Sequence, residues 1–262
     1  MSPRRTHVAL TAAAVLAAAA IVVGVGLAPR LTGSGADAPP QPAAEPAPRW
    51  AAPAPLPAED PDRDRPGTST RPDPAWVSAV AEAAGIPERA LAAYAGAALA
   101  KHAERPDCAL GWNTLAAIGW VESRHGSHGG ASIAADGTVS PPIVGVALDG
   151  GSTALIADSD GGALDGDAEF DRAIGPMQFI PQSWRNWAVD ASADGVADPH
   201  NIDDAALAAA NYLCRATPTL GDEQSWRAGI AAYNGDPAYL DAVATAAAQY
   251  SAATEQTSRN GG

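Results

Sequence analysis

The sequence predicts a mainly α-helical domain with a loop-rich insertion in its middle. Three observations carry that expectation. Alanine-rich stretches with helical start and stop signals recur between residue 73 and about residue 250. Residues 127–172 are rich in Gly, Asp and Pro and keep no sustained period. Strand signals are few: "PPIVGVAL" and "ALIAD" suit one small β-hairpin. With two Phe and two Met in 262 residues, the core must rest on close Ala packing and a few Trp and Leu anchors.

The elements follow in order. Asp73 and Pro74 are N-cap and N1 signals for "AWVSAVAEAA", and Gly85 stops it. "PERALAAYAGAALAKHAE" is a second helix, ended by Pro106. A third begins near Trp112 or Asn113 and stops at Gly126. "PQSWRNWAV" is short, with Pro181 at its start; "DDAALAAANYLCRA", "SWRAGIAAYNG" and "PAYLDAVATAAAQYSAA" follow. No internal repeat is visible.

The domain, residues 73–250, is preceded by two segments of another kind. Residues 1–30 begin with the basic "MSPRRTH" and run without charge from Val8 to Pro29. Such a run is long enough to span a bilayer, so it reads as a signal anchor or a signal peptide. Ala36-Asp37-Ala38 has cleavage-site spacing, but Pro39 follows it. The chain beyond would then lie outside the membrane. Residues 31–72 are rich in Pro and Ala and read as a disordered linker, and residues 251–262 as a flexible tail. Formal net charge is −14, which argues against nucleic acid as a partner. The two cysteines, Cys108 and Cys214, read as a disulfide in an exported chain.

One acid is oddly placed. In "GWVESRHG", Glu122 shares a helical face with Leu115 and Ile118. A carboxyl among apolar groups loses hydration in its charged form, so its pKa rises and it can serve as a general acid. The plainer reading is a pair with Arg124.

Three later segments decide between these readings: "GPMQFIP" at 175–181, "NYL" at 211–213 and "AAYNG" at 231–235. With "AAIGWVESRHG", they resemble the lytic transglycosylases of bacterial cell walls. The pattern is most similar to the membrane-bound lytic transglycosylase B family (glycoside hydrolase family 103) in an actinobacterial-looking variant. The resemblance implies a lysozyme-like fold of the goose-type lysozyme kind, with a groove for peptidoglycan glycan strands. It implies that Glu122 is the catalytic acid and base. It also implies substrate contacts from Ser123, Met177, Gln178, Phe179, Tyr212, Tyr233 and Asn234.

The implied reaction cleaves the MurNAc–GlcNAc β-1,4 bond and leaves 1,6-anhydro-MurNAc ends, with no cofactor for catalysis. A hydrolytic muramidase of the same fold is the alternative, with Glu169 or Asp171 as second carboxylate. A non-catalytic wall-binding module is another. The setting is extracytoplasmic, at the membrane or in the wall.

Asp190, Ser192 and Asp194 alternate, and Gly195 stands sixth, as at the start of an EF-hand loop; Val196 would offer its carbonyl. Position twelve is Asn201, where that motif has glutamate. The resembled family carries a longer loop, which implies Asp204 as the closing ligand of a structural Ca²⁺, with Asp203 or Asp198 as substitutes. "DSDGGALDGD", at 158–167, reads as a solvated loop.

Overall fold

The computed structural model describes residues 48–260, apart from residue 152. The expected membrane segment at 1–30 and the first part of the expected linker, residues 31–47, lie outside the described residues. No helix among the described residues is long and apolar enough to cross a membrane.

The architecture is mainly α, as the lysozyme-like reading expects. Seven α-helices are described: α1 Pro74–Ala84, α2 Glu88–Glu104, α3 Trp112–Ser123, α4 Pro181–Trp187, α5 Ile202–Ala216, α6 Glu223–Tyr233 and α7 Pro237–Asn260. Local chemistry sets their ends. Asp73 accepts a hydrogen bond from the Ala75 N–H, and Gly85 closes α1 in the left-handed conformation. Asn201 and Asp222 cap α5 and α6 through their side chains.

Helix α3 runs through the middle, packed on α2 and α7, while α5 lies along α2 and α6. Small residues make this possible. Ala90, Ala93, Ala97 and Ala98 of α2 and Ala205, Ala206, Ala208 and Ala209 of α5 have no exposed surface. Leu91, Leu115, Trp112 and Trp226 fill the remaining space. Where α2 crosses α3, a Cβ on Gly119 would lie 2.0 Å from the Tyr94 hydroxyl, so only glycine fits.

The loop-rich insertion holds two small antiparallel sheets. Strand β1 (Ser132–Ile133) pairs with β2 (Val139–Ser140), and β3 (Val144–Ala147) with β4 (Arg172–Ile174). The expected hairpin partner is corrected here. "PPIVGVAL" supplies β3, but its ladder partner is "RAI". "ALIAD" instead makes isolated bridges, Leu155 to Asp149 and Ala157 to Phe170. Burial of Leu148 and Ile174 holds this register.

The linker expected over 31–72 is also corrected, for residues 48–72. Ala51 and Ala54 are buried. The Ala54 N–H donates to Asn113 Oδ1 (2.9 Å), and Trp112 Nε1 donates to the Pro55 carbonyl (3.2 Å). Ser69 donates to Asp203 (2.9 Å). Proline lacks an N–H but keeps its carbonyl, so an extended Pro/Ala segment can still accept hydrogen bonds from the domain. The flexible tail at 251–262 is helix as far as Asn260. Buried Asn113 needs polar partners inside the core and takes Ser251 Oγ at 2.9 Å.

Cys108 and Cys214 form the expected disulfide, with Cα atoms 5.5 Å apart. It ties the entry of α3 to the last turn of α5. Closing a loop of 106 residues is worth about 4–5 kcal/mol in the chain-entropy account.

Candidate active site

Helix α3 delivers Glu122 from its last turn. Leu115 and Ile118, on the same face, are fully buried. Beyond Ser123 the helix stops sharply. Arg124, His125 and Gly126 all take positive φ, at 55°, 58° and 77°. The Arg124 and His125 N–H groups return to the Trp120 and Gly119 carbonyls (3.0 and 2.9 Å) and satisfy the helix end.

Two non-glycine residues in the left-handed region need support. Arg124 lies over the Trp120 ring, 4.1 Å from its centroid. His125 is buried, with Nδ1 3.3 Å from the Tyr94 hydroxyl and Nε2 3.0 Å from the Tyr250 hydroxyl. Burial brings the His125 imidazole down to about pKa 4, with Arg124 adding to the effect, so it is neutral at pH 7.

Among the described residues the Glu122 carboxyl makes one side-chain hydrogen bond. Tyr239, in the first turn of α7, donates to Oε1 at 2.6 Å. Loss of hydration pushes the carboxyl up to about pKa 8, against the opposing pull of the Tyr239 hydroxyl. Among the described residues no cation pairs with Glu122. Arg124, the plainer partner, is turned onto Trp120 instead. Tyr239 and Tyr233 are raised well above the usual phenol range, first by burial and then by the charge on Glu122, so both stay neutral donors. The arrangement can hold a proton near neutrality and stabilise the carboxylate left when that proton is given up.

The other expected site residues are mostly buried and tied to one another, and Ser123 joins their turn to the end of α3. "IGPMQF" is a tight turn, with Ile174 and Phe179 exchanging backbone hydrogen bonds at 2.8 and 3.0 Å. Ser123 is buried rather than facing a groove. Its hydroxyl donates to the Pro176 carbonyl (2.6 Å) and accepts from the Gly126 N–H (2.8 Å), joining α3 to the turn.

Met177 and Phe179 have buried side chains, so they pack behind the turn. The Met177 carbonyl accepts from the Tyr233 hydroxyl at 2.7 Å. Tyr212 and Asn234 are buried too; Tyr212 donates to the Ala232 carbonyl, and Asn234 Oδ1 accepts from the Asp236 N–H. Trp187, Tyr212, Tyr233 and Phe179 form a chain of edge-to-face rings with centroids 5.4–6.0 Å apart. Gln178 differs. It is half-buried at φ 50°, and its Nε2 donates to the Gly175 carbonyl at 2.9 Å.

The candidate second carboxylates are elsewhere engaged. Asp171 is fully buried, and both its oxygens accept from Ser159, at 2.9 Å each. Its neighbour Arg172 pairs with Asp167 (2.8 Å). Glu169 is exposed on the acidic loop. In that loop Asp158 and Asp160 accept loop amides, and carboxylate oxygens of Asp158, Asp160 and Asp171 lie within 4.8 Å of one another.

The EF-hand-like loop wraps two carboxylates. Asp190 accepts from the Ser192 hydroxyl and from the N–H groups of Asp194 and Gly195 (3.2, 3.2 and 2.9 Å). Asp204 is buried and gathers the N–H groups of Ala191, Ser192 and Asp198. Gly195 has the positive φ, 95°, that the sixth position demands. Asp194 accepts from the Val196 N–H, and Val196 itself is exposed. The substitute Asp203 is taken by Arg89 (2.6 Å), and Asp198 caps His200. The loop is rich in oxygen donors of the kind a hard cation takes, and Asp190 and Asp204 here spend theirs on loop amides.

Sequence reasoning missed Tyr239 and His125. Both lie in quoted segments, "PAYLD" and "SRHG", but nothing local marks them. Their roles come from α7 packing on α3.

Because the folded pKa of Glu122 lies above the unfolded one, this group favours the fold at low pH. That contribution is lost as pH rises from about 4.5 through 8. Glu122→Gln removes the titration. It should therefore melt roughly 4–8 °C above wild type at pH 8, for a penalty of about 2 kcal/mol after screening at a partly open carboxyl. Near pH 4 the difference should vanish. Equal melting at both pH values, followed by calorimetry, would contradict the desolvated acid.

No curated protein and no solved structure matches this chain. Residues 168–240 match the family model described as a transglycosylase SLT domain. The matched stretch starts within the acidic loop and ends in the first turn of α7, downstream of Glu122. That stretch includes the Gly175–Phe179 turn, Tyr233 and Tyr239, the donor to Glu122.

Proposed function

We propose that this protein is a peptidoglycan lytic transglycosylase that cleaves the MurNAc–GlcNAc β-1,4 bond without water and leaves 1,6-anhydro-MurNAc ends. The observation that carries the reading is the Glu122 carboxyl at the end of α3, held by Tyr239, raised in pKa by loss of hydration and paired with no cation among the described residues. The match of residues 168–240 to a transglycosylase SLT domain supports the substrate class. The disulfide and that match together support an extracytoplasmic, cell-wall setting. Membrane attachment through residues 1–30 belongs to the same proposal.

Glu122 gives its proton to the glycosidic oxygen as that bond breaks. Charge then develops on the carboxylate, and the Tyr239 hydroxyl already points at Oε1 to stabilise it. The oxocarbenium-like carbon is attacked by the C6 hydroxyl of the same sugar, and Glu122 recovers the proton. An internal nucleophile has a high effective concentration, so no second carboxylate is needed to activate water. The engagement of Asp171 with Ser159 favours this over a two-carboxylate hydrolase.

Digestion of peptidoglycan in H₂¹⁸O tests the reaction. The expected products are 1,6-anhydro-muropeptides free of ¹⁸O, and Glu122→Gln should lose about 10²–10⁴ in rate. Reducing ends carrying ¹⁸O would make it a muramidase. A Glu122→Gln protein that digests at the wild-type rate would remove the catalytic assignment.

We also propose that the loop from Asp190 to Asp204 holds a structural Ca²⁺, with Asp190, Ser192, Asp194, the Val196 carbonyl and Asp204 as ligands. Calcium would link oxygens that now accept separate amide N–H groups and so stiffen the loop before α5. Binding to the folded state alone should raise the melting temperature by mass action, and Asp194→Ala should abolish the response. Identical melting in calcium and in chelator would dismiss the site.

A further inference from the structure

We propose that a cleft between the ends of α2, α4 and α5 binds a carboxylate-bearing sugar, at a site separate from Glu122. The cleft has a volume of about 390 Å³, within the usual range for small-molecule sites. Lys101, Arg105, Arg215, Asn186, Asn211 and Trp187 line it. The chain as a whole has 16 basic residues against 30 acidic ones, so three cations against the single carboxylate of Glu104 is a local reversal of charge.

The cations have unspent capacity. Lys101 is only 4 % exposed, yet its one recorded acceptor is Glu104 at 2.6 Å, and the Glu104 side chain is 70 % exposed. An ammonium carries three N–H donors, and a buried one is costly to leave short of acceptors. Arg105 gives one N–H to the Cys214 carbonyl, which leaves most of its fork unused. Among the described residues, the side chains of Arg215, Asn186 and Asn211 have neither a hydrogen bond nor an ion pair.

The apolar part of the cleft is equally specific. Trp187 is partly buried and held edge-to-face on Tyr212, with centroids 5.7 Å apart. A fixed indole offers a flat face to a sugar ring, free amides suit its hydroxyls, and the cations suit a carboxylate. A neutral sugar would leave Arg215 unanswered. A simple carboxylic acid would leave Trp187 and both amides unused. The two together select an acidic saccharide. No residue of this cleft bonds to Glu122, and Trp187 meets the buried ring chain through Tyr212.

The test is an NMR titration of ¹⁵N-labelled protein with N-acetylmuramic acid and with N-acetylglucosamine, which differ by a lactyl carboxylate. The choice of probe rests on the peptidoglycan reading, but binding needs no turnover, so a failure of the catalytic proposal leaves this titration readable. N-acetylmuramic acid should shift the Trp187 indole N–H and the Asn186 and Asn211 side-chain amides in wild type and Glu122→Gln alike. N-acetylglucosamine should leave them in place. Arg215→Ala, at an exposed position that the fold does not need, should weaken binding by about tenfold. Equal response to both sugars, no response at Trp187, or unchanged affinity in Arg215→Ala would overturn the proposal.

Discussion

The hydrogen bond from Tyr239 to Glu122 joins the last turn of α3 to the first turn of α7. Two opposing demands meet there. Removal from water keeps the proton on Glu122, and the tyrosine hydroxyl favours letting it go. Burial is the larger effect, so the acid rests protonated while a donor stands ready for the charge. Both demands require α7 to sit at a fixed height on α3. His125 helps to set it, because its ring nitrogens face Tyr94 of α2 and Tyr250 of α7. The disulfide holds the opposite end of α3.

The same logic explains why so many expected contact residues are buried. A tight turn carrying Gln178 must be held still if it is to form a wall. Ser123 ties α3 to Pro176, Tyr233 ties α6 to Met177, and Phe179 meets Tyr233 and Trp184 edge-to-face. These side chains spend their polar atoms on backbone carbonyls. Their chemistry is that of a frame; Gln178 and Glu122 remain partly exposed, while Tyr239 is buried beside the acid.

Much of this was legible in the sequence. Capping residues such as Asp73, and Gly85 at a helix end, act within a few residues and so can be read locally. Glu122 was legible because helical spacing alone puts it beside Leu115 and Ile118. Tyr239 was not, because its partner is 117 residues away and only the docking of α7 brings them together. The segment at 48–72 was misread for a related reason. Its composition is that of a spacer, and its order comes from Trp112 and Asn113, whose side chains reach out to its backbone. The strand partner of β3 was missed because two short apolar runs fit equally well on pattern alone.

The central claim is that Glu122 carries a proton at neutral pH in the folded protein. The direct measurement is a ¹³C NMR titration of glutamate side-chain carboxyls, with the Glu122 signal assigned by its loss in Glu122→Gln. A midpoint near 8, moving higher in Tyr239→Phe as the opposing hydrogen bond is lost, is the expected result. A midpoint near the ordinary value of 4.5 would contradict the account, because a carboxylate already ionised at pH 7 has no proton to give.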